Sequence, residues 1–323
     1  MAEWLYEEGI GENRAILVED DEILAAAIEL HGEVRCGSVL AGRLVSISGR
    51  RGIVATDQGE VMVEPLPAAL TEGQKVRVEI VREPIAEPGN PKFARGRISD
   101  AAEREGPSLA ERIGAGAPLS TNGPDRFEES GWSELIDEAI GEAIDFGGGE
   151  LRMSLTPAMT LFDVDGFLPP AELAIAGAEA VALAIRRLDI GGSIGIDLPT
   201  VPSREDRLRV VAALDAVLPR PFERTAVNGF GFLQVVRRRE RRSLPELLQW
   251  DEVGGSARDL LRRAERDPGI GARELVAAPA VIARLRSNPG WIDTLARRIG
   301  APVDLREDPR FSTWQAHVHV RPA

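Results

Sequence analysis

Three aspartates stand where two apolar runs end. After the Gly-Gly-Gly turn at 147–149 come residues 151–155 and 159–164, and the second run finishes in Asp163-Val164-Asp165-Gly166. Side chains alternate across an extended strand, so Asp163 and Asp165 share one face while Phe162 and Val164 share the other. A helix-patterned segment, 169–188, and the turn Asp189-Ile190-Gly191-Gly192 follow, and a second apolar strand, 193–196, delivers Asp197. A strand, helix and strand of this length make a crossover with parallel strands, which predicts Asp163 and Asp197 at matching strand ends. That is a divalent-metal site in outline, with Asp163 and Asp197 as ligands and Asp165 assisting. A strand-end Asp is also a common turn former or helix cap, and spacing alone leaves both readings open.

The runs GGGELRMSLTPAMTLFDVDGF, RRLDIGGSIGIDLPTV and VNGFGFLQVVRRRERRSL, in that order, resemble the catalytic core of the ribonuclease E/G family. That family has a Thr-Glu-Ala-Met-Thr-like strand ending in Asp-Val-Asn, an Ile-Gly-Gly turn leading to Ile-Asp, and a Gly-Leu strand running into an Arg-rich segment. The resemblance puts the family's two aspartates on Asp163 and Asp197 and its asparagine on Asp165. It implies a magnesium-dependent endoribonuclease acting on single-stranded RNA, with hydrated Mg²⁺ held by Asp163 and Asp197. Asp165, in place of Asn, adds a negative charge beside the ion. Two rival readings stay open: an RNA-binding protein of the same family without catalysis, and a structural partner of a larger RNA-degrading assembly.

These residues need a framework, and the chain is long enough for one. At 323 residues it can bury a substantial core in two or three domains. The expected class is α/β: a catalytic mixed-sheet core with an inserted small barrel of the oligonucleotide-binding (OB) type and a small C-terminal α/β domain. The expected divisions are an N-terminal hairpin at 1–36 completing the core sheet, the barrel at 37–100, a linker at 101–130, the core at 131–250 and the last domain at 251–323. No apolar run reaches the length of a membrane span and the N-terminus lacks the marks of a secretory signal, so the expected location is cytoplasmic, with no membrane partner. Cys36 is the single cysteine, which excludes an internal disulfide and a multi-cysteine zinc site within one chain. Larger family members link subunits through a zinc-binding cysteine pair; here that position reads DEVGGS, so no zinc link and a monomer or weak homodimer are expected.

Net charge is −13, yet it is unevenly spread. Up to Ala180 there are 34 acidic and 15 basic side chains, and beyond it 18 and 24. The bases are nearly all Arg, whose planar fork suits phosphate, although a GC-rich genome gives the same bias. The densest run, Arg237-Arg238-Arg239-Glu240-Arg241-Arg242, reads as an RNA contact carried by Arg237, Arg238 and Arg239, or as a solvated turn.

Along the chain, 14–19 and 22–30 read as a hairpin across Asp20-Asp21. Five short strands between 37 and 99 suggest the barrel. The family places an RNA-binding barrel here, and the resemblance makes Arg82, Lys92 and Arg95 bases that guide RNA toward the metal. Ile53, Val54, Val61 and Met62 stand where stacking aromatics would be, which points to weak or backbone-mediated binding. The Glu-, Gly-, Pro- and Ser-rich 99–130 reads as a flexible connector, too short for the family's module that recognises an RNA 5′ monophosphate. An amphipathic helix is expected over 132–146, and Ser203 as the cap of a helix reaching 218. His317 and His319 share a strand face and are read as exposed positions ahead of a metal pair.

Overall fold

The structure is a computed structural model that describes residues 1–141 and 143–321. Three strands open the chain: β1 (Glu3–Glu8), β2 (Glu12–Glu19) and β3 (Glu22–Leu30). Five more follow: β4 (Val39–Ser48), β5 (Arg51–Thr56), β6 (Gly59–Val63), β7 (Lys75–Arg82) and β8 (Ala94–Ile98). Helices α1 (Leu109–Ile113), α2 (Arg126–Glu129) and α3 (Trp132–Ile140) lead to β9 (Ala143–Phe146), β10 (Gly149–Leu155) and β11 (Thr160–Gly166). The crossover is α4 (Pro170–Arg187) and β12 (Gly192–Asp197), and α5 (Arg204–Val217), β13 (Glu223–Arg224) and β14 (Phe232–Arg237) come after it. The remainder is α6 (Leu244–Gln249), α7 (Glu252–Arg266), β15 (Ala272–Ala277), α8 (Pro279–Arg286), α9 (Pro289–Ile299), β16 (Val303–Glu307) and β17 (Ala316–Arg321). This is the expected mixed α/β class with an inserted small barrel: β4-β5-β6-β8-β7 closes on itself around Leu44, Val54, Val61, Val63, Val78 and Ile80.

The chain divides into two compact units, one made of 32–108 and 134–245, the other of 1–31, 109–133 and 246–323. The first holds the barrel and a six-stranded sheet in the order β13-β14-β12-β11-β10-β9. Alternation gives this sheet one buried face, with Leu151, Met153, Phe162, Val164, Ile194, Ile196, Leu233 and Val235. Helix α4 covers part of it. Pro170 stands in its first turn, where the missing N–H costs nothing, and Leu173, Ala174, Ala178, Val181 and Ile185 are buried. Gly177 is what allows the close approach: a Cβ there would lie 2.4 Å from a Val164 methyl. Ser203 caps α5 as expected, its Oγ accepting from the Asp206 N–H at 3.3 Å.

The second unit pairs the antiparallel sheet β1-β2-β3 with β16-β15-β17 and its helices, around a core that includes Ile10, Leu260, Leu261, Leu275, Val281, Ile282 and Leu295. Several of its buried charges are paired. Arg14 Nε donates to Glu12 at 2.7 Å, Arg258 bonds the same carboxylate, and Arg262 bonds both oxygens of Glu7, at 2.9 and 3.1 Å. Burial alone would raise the Glu12 pKa, but Arg14 and Arg258 outweigh it and hold the carboxyl below its ordinary value.

Three expectations are corrected here. The N-terminal strands form a sheet of their own instead of completing the aspartate-bearing one, whose edges are occupied by β9 and β13. The stretch at 101–130 carries two short helices anchored by buried Leu109 and Phe127, an apolar pair sparse enough to be hidden by the surrounding Gly and Ser. The helix expected over 132–146 stops at Ile140, and Ala143-Ile144-Asp145-Phe146 pairs with β10, its Ile144 buried and its neighbours Ala143 and Asp145 exposed.

Candidate active site

The carboxylates lie on the face of the six-stranded sheet opposite the buried one, and Asp163, Asp165 and Asp197 are exposed there. β11 and β12 run parallel with Asp163 directly opposite Asp197, which puts their Cα atoms about 4.8 Å apart and both side chains on the same face. On the other side of β11, antiparallel β10 sets Arg152 opposite Asp163 and Glu150 opposite Asp165. Phe232 of β14 is opposite Asp197. The exposed residues of β10 to β12 are Arg152, Ser154, Asp163, Asp165, Gly166 and Asp197.

The electrostatics follow from that register. The Asp163 carboxyl is pushed above its ordinary value, first by partial desolvation and then by the negative charges of Asp165 and Asp197; Arg152 pulls it back in part. Arg152 is committed elsewhere, its Nη2 donating to Glu150 at 2.6 Å and its Nε 3.9 Å from Asp165. Asp165 therefore shares the face but leans toward Arg152. Among the described residues no group of three or more His, Cys, Asp or Glu is placed to hold a metal ion, so the convergence of three carboxylates is not what this sheet displays. Two in register remain, which suits Mg²⁺, an ion usually bound by one or two carboxylates with several waters retained.

The loop after Asp197 is fixed. Arg207 Nη1 donates to the carbonyls of Val201 and Pro202, each at 2.8 Å, and Leu198 N–H donates to the Gly231 carbonyl at 3.3 Å. Gly231 has φ +96°, and a Cβ on it would sit 2.1 Å from the Leu198 carbonyl oxygen. The turn at Asn228-Gly229-Phe230-Gly231 is thus locked onto the residue that follows Asp197.

The arginine run expected to contact RNA starts at the other end of β12. Gly192 is opposite Arg237 and Asp197 opposite Phe232, so the arginine run begins at the far end of β12, about 17 Å from Asp197. Arg237 is on the covered face, half-buried, donating to the carbonyls of Ile185 at 3.4 Å and Ile190 at 2.8 Å. Arg239 lies against Gly191 and Gly192, Arg241 bonds Asp189 at 3.3 Å, and Arg242 bonds Glu33. Arg238 is the most open, 72% exposed, with Glu240 at 3.0 Å. In the barrel, Arg82 donates to the Phe93 carbonyl at 2.7 Å, Arg95 faces Glu64 at 3.4 Å, and Lys92 bonds Glu87 at 2.5 Å and the Pro157 carbonyl at 3.4 Å. Partners at these distances make several of these bases structural ties within the unit.

Sequence reading passed over Arg152 and Glu150, although their alternation in Glu150-Leu151-Arg152-Met153 marks them as facing with the aspartates. It also passed over Phe167 and Phe230, both 85% exposed. Of the barrel residues standing in for aromatics, Val54 and Val61 are core, while Ile53 and Met62 pair across strands at the surface. His317 and His319 are exposed on β17, their rings 6.2 Å apart.

The chain is similar to ribonucleases G. That of Haemophilus influenzae is 28% identical over 170 residues, 49% of this chain and 34% of that protein. That of Escherichia coli K12 is 31% identical over 113 residues, 31% of this chain and 23% of it, and that of Salmonella typhimurium 30% over the same length and shares. The chain thus matches about a third or less of the length of these curated relatives. No family model matches it. Among the described residues no helix is long and apolar enough to cross a membrane.

Proposed function

We propose that this chain is an endoribonuclease of single-stranded RNA whose activity depends on Mg²⁺ held by Asp163 and Asp197. The observation that carries the reading is the register of β11 and β12, which sets two exposed carboxylates side by side on one face; similarity to proteins named ribonuclease G supplies the substrate class. Two adjacent negative charges on an exposed sheet face repel each other, and a bound divalent cation relieves that repulsion. When bound, the ion supplies a polarised water for attack on a backbone phosphate and offsets charge in the transition state. Asp163 and Asp197 fix its place, and Asp165 adds charge while drawing Arg152 to one side. Glu150 holds Arg152 in hydrogen-bond contact, which keeps the guanidinium from settling between the two ligands. Arg207 and the Gly231 turn hold the loop that follows Asp197 in one conformation.

A second reading, RNA binding without catalysis, draws on Arg152: a cation opposite Asp163 competes with a metal ion for that carboxylate. Labelled single-stranded RNA incubated with Mg²⁺ and the parent protein, Asp163→Asn or Asp197→Asn separates the two. Cleavage by the parent, reduced about a hundredfold or more in each variant, is the expected result. Equal cleavage by all three contradicts the assignment, and binding by all three with no cleavage favours the second reading.

A further inference from the structure

The carboxylate end of this sheet face is acidic, with Glu150, Asp163, Asp165 and Asp197 against one arginine already bonded to a carboxylate. Such a surface repels the phosphates of a nucleic acid. It does offer aromatic rings. Phe167 follows the last residue of β11 and Phe230 lies two residues before Phe232, which is opposite Asp197; both are 85% exposed. β11 and β12 are parallel and β14 is antiparallel to β12, so both residues project from the same end of the sheet, beyond the carboxylates.

Neither ring sits on a loose loop. Asn228 Oδ1 accepts from the N–H groups of Phe230 at 2.8 Å and Phe232 at 3.0 Å, and Thr200 Oγ1 donates to the Phe230 carbonyl at 3.4 Å. The Phe167 N–H donates to the Gly148 carbonyl at 3.2 Å. Phe232 itself, half-exposed, lies over Gly195, where a Cβ would come within 2.8 Å of its ring. A large apolar ring left in water on a rigid turn keeps its full hydration cost, and Phe167 and Phe230, with half-exposed Phe232 beside Asp197, offer faces on which bases can stack.

We infer that Phe230 and Phe167 are base-stacking positions for single-stranded RNA, gripping the strand at the carboxylate end by its bases where its phosphates are repelled. The assignment rests on the proposed RNA reading and adds a site to it. It also accounts for the absence of stacking aromatics at the barrel positions Ile53, Val54, Val61 and Met62: the platform stands on the catalytic sheet instead.

The test uses the full chain in EDTA, so that no cleavage occurs, with two labelled probes: an oligoadenylate and an abasic sugar-phosphate strand of equal length. Phe230→Ala and Phe167→Ala are each expected to weaken oligoadenylate binding by roughly 5- to 150-fold and to leave the abasic strand unchanged. Phe230→Trp retains a stacking ring, and its indole fluorescence is expected to be quenched by the oligoadenylate and not by the abasic strand. Parent-like binding of both probes by both alanine variants, or no quenching in the tryptophan variant, overturns the base-stacking assignment while the RNA reading stands. A parent that binds neither probe in EDTA also overturns the stacking assignment, and the cleavage assay with Mg²⁺ decides the RNA reading by itself.

Discussion

At the scale of single residues, Asp163 carries the strongest consequence. Its folded-state pKa is raised, so protonation favours the folded protein: the contribution is fully present below the ordinary carboxylate range and is lost as pH rises through the raised value. At neutral pH without metal Asp163 is therefore a small liability, and Asp163→Asn is predicted to melt at a higher temperature than the parent at pH 7 in EDTA. An equal or lower melting temperature contradicts this. Removing one of the neighbouring charges raising that pKa has a separate readout: in Asp197→Asn the Asp163 carboxyl is predicted to titrate closer to its ordinary value, measured by carbon-13 carboxyl shifts. The sequence placed this pair through alternation and the crossover rule. It could not show that Asp165 leans toward Arg152, because that depends on which β10 residue lies opposite.

Among the elements, β14 shows how a charge run misleads. Five arginines in six residues look like one phosphate-binding patch, but alternation turns Arg237 into the covered face and the turn at 189–192 takes up Arg239 and Arg241, while Arg238 stays exposed. Arg237→Gln is predicted to cost about 1–3 kcal/mol in denaturant unfolding, since it takes the guanidinium away from the Ile190 carbonyl, and to leave the salt dependence of RNA binding unchanged. Arg238→Gln is predicted to do the reverse, lowering the salt slope by about 1 with little effect on stability. If both variants change the slope equally, the division between them is wrong. A helix glycine is equally position-bound. Gly177→Val is predicted to destabilise by about 1–3 kcal/mol, because the added methyls meet Val164 on the strand that carries Asp163 and Asp165. The elements themselves were largely legible, since periodicity marks a strand or helix from its own residues. Their ends and partners were less so: the 132–146 run carries a helical stripe up to Ile140, and only pairing with β10 tells β9 from a continued helix.

For the whole molecule, the partition into units was the least legible feature. Residues 1–31, 109–133 and 246–323 meet through contacts far apart in sequence, and their buried ion pairs, Glu7 with Arg262 and Glu12 with Arg258, span hundreds of residues that no local pattern records. Glu12→Ala is predicted to destabilise by about 3–5 kcal/mol, because it leaves Arg14 and Arg258 buried without their carboxylate. Its pH signature has the opposite sign to that of Asp163. The folded pKa of Glu12 is lowered, so its contribution is present above the ordinary value of 4.5 and fades as pH falls through the depressed one. Residues 101–130 carry two short helices, Leu109–Ile113 and Arg126–Glu129, and on the reading that this stretch is too short to recognise a 5′ monophosphate, cleavage of monophosphorylated and hydroxyl-ended RNA is predicted to proceed at similar rates.

The claim on which the functional account depends is that Asp163 and Asp197 together hold one divalent cation. Electron paramagnetic resonance of Mn²⁺ titrated into the parent and the two asparagine variants measures this without recourse to RNA. One bound ion in the parent, displaced by excess Mg²⁺ and lost in both Asp163→Asn and Asp197→Asn, is the predicted result; an ion bound equally well by the parent and both variants contradicts it.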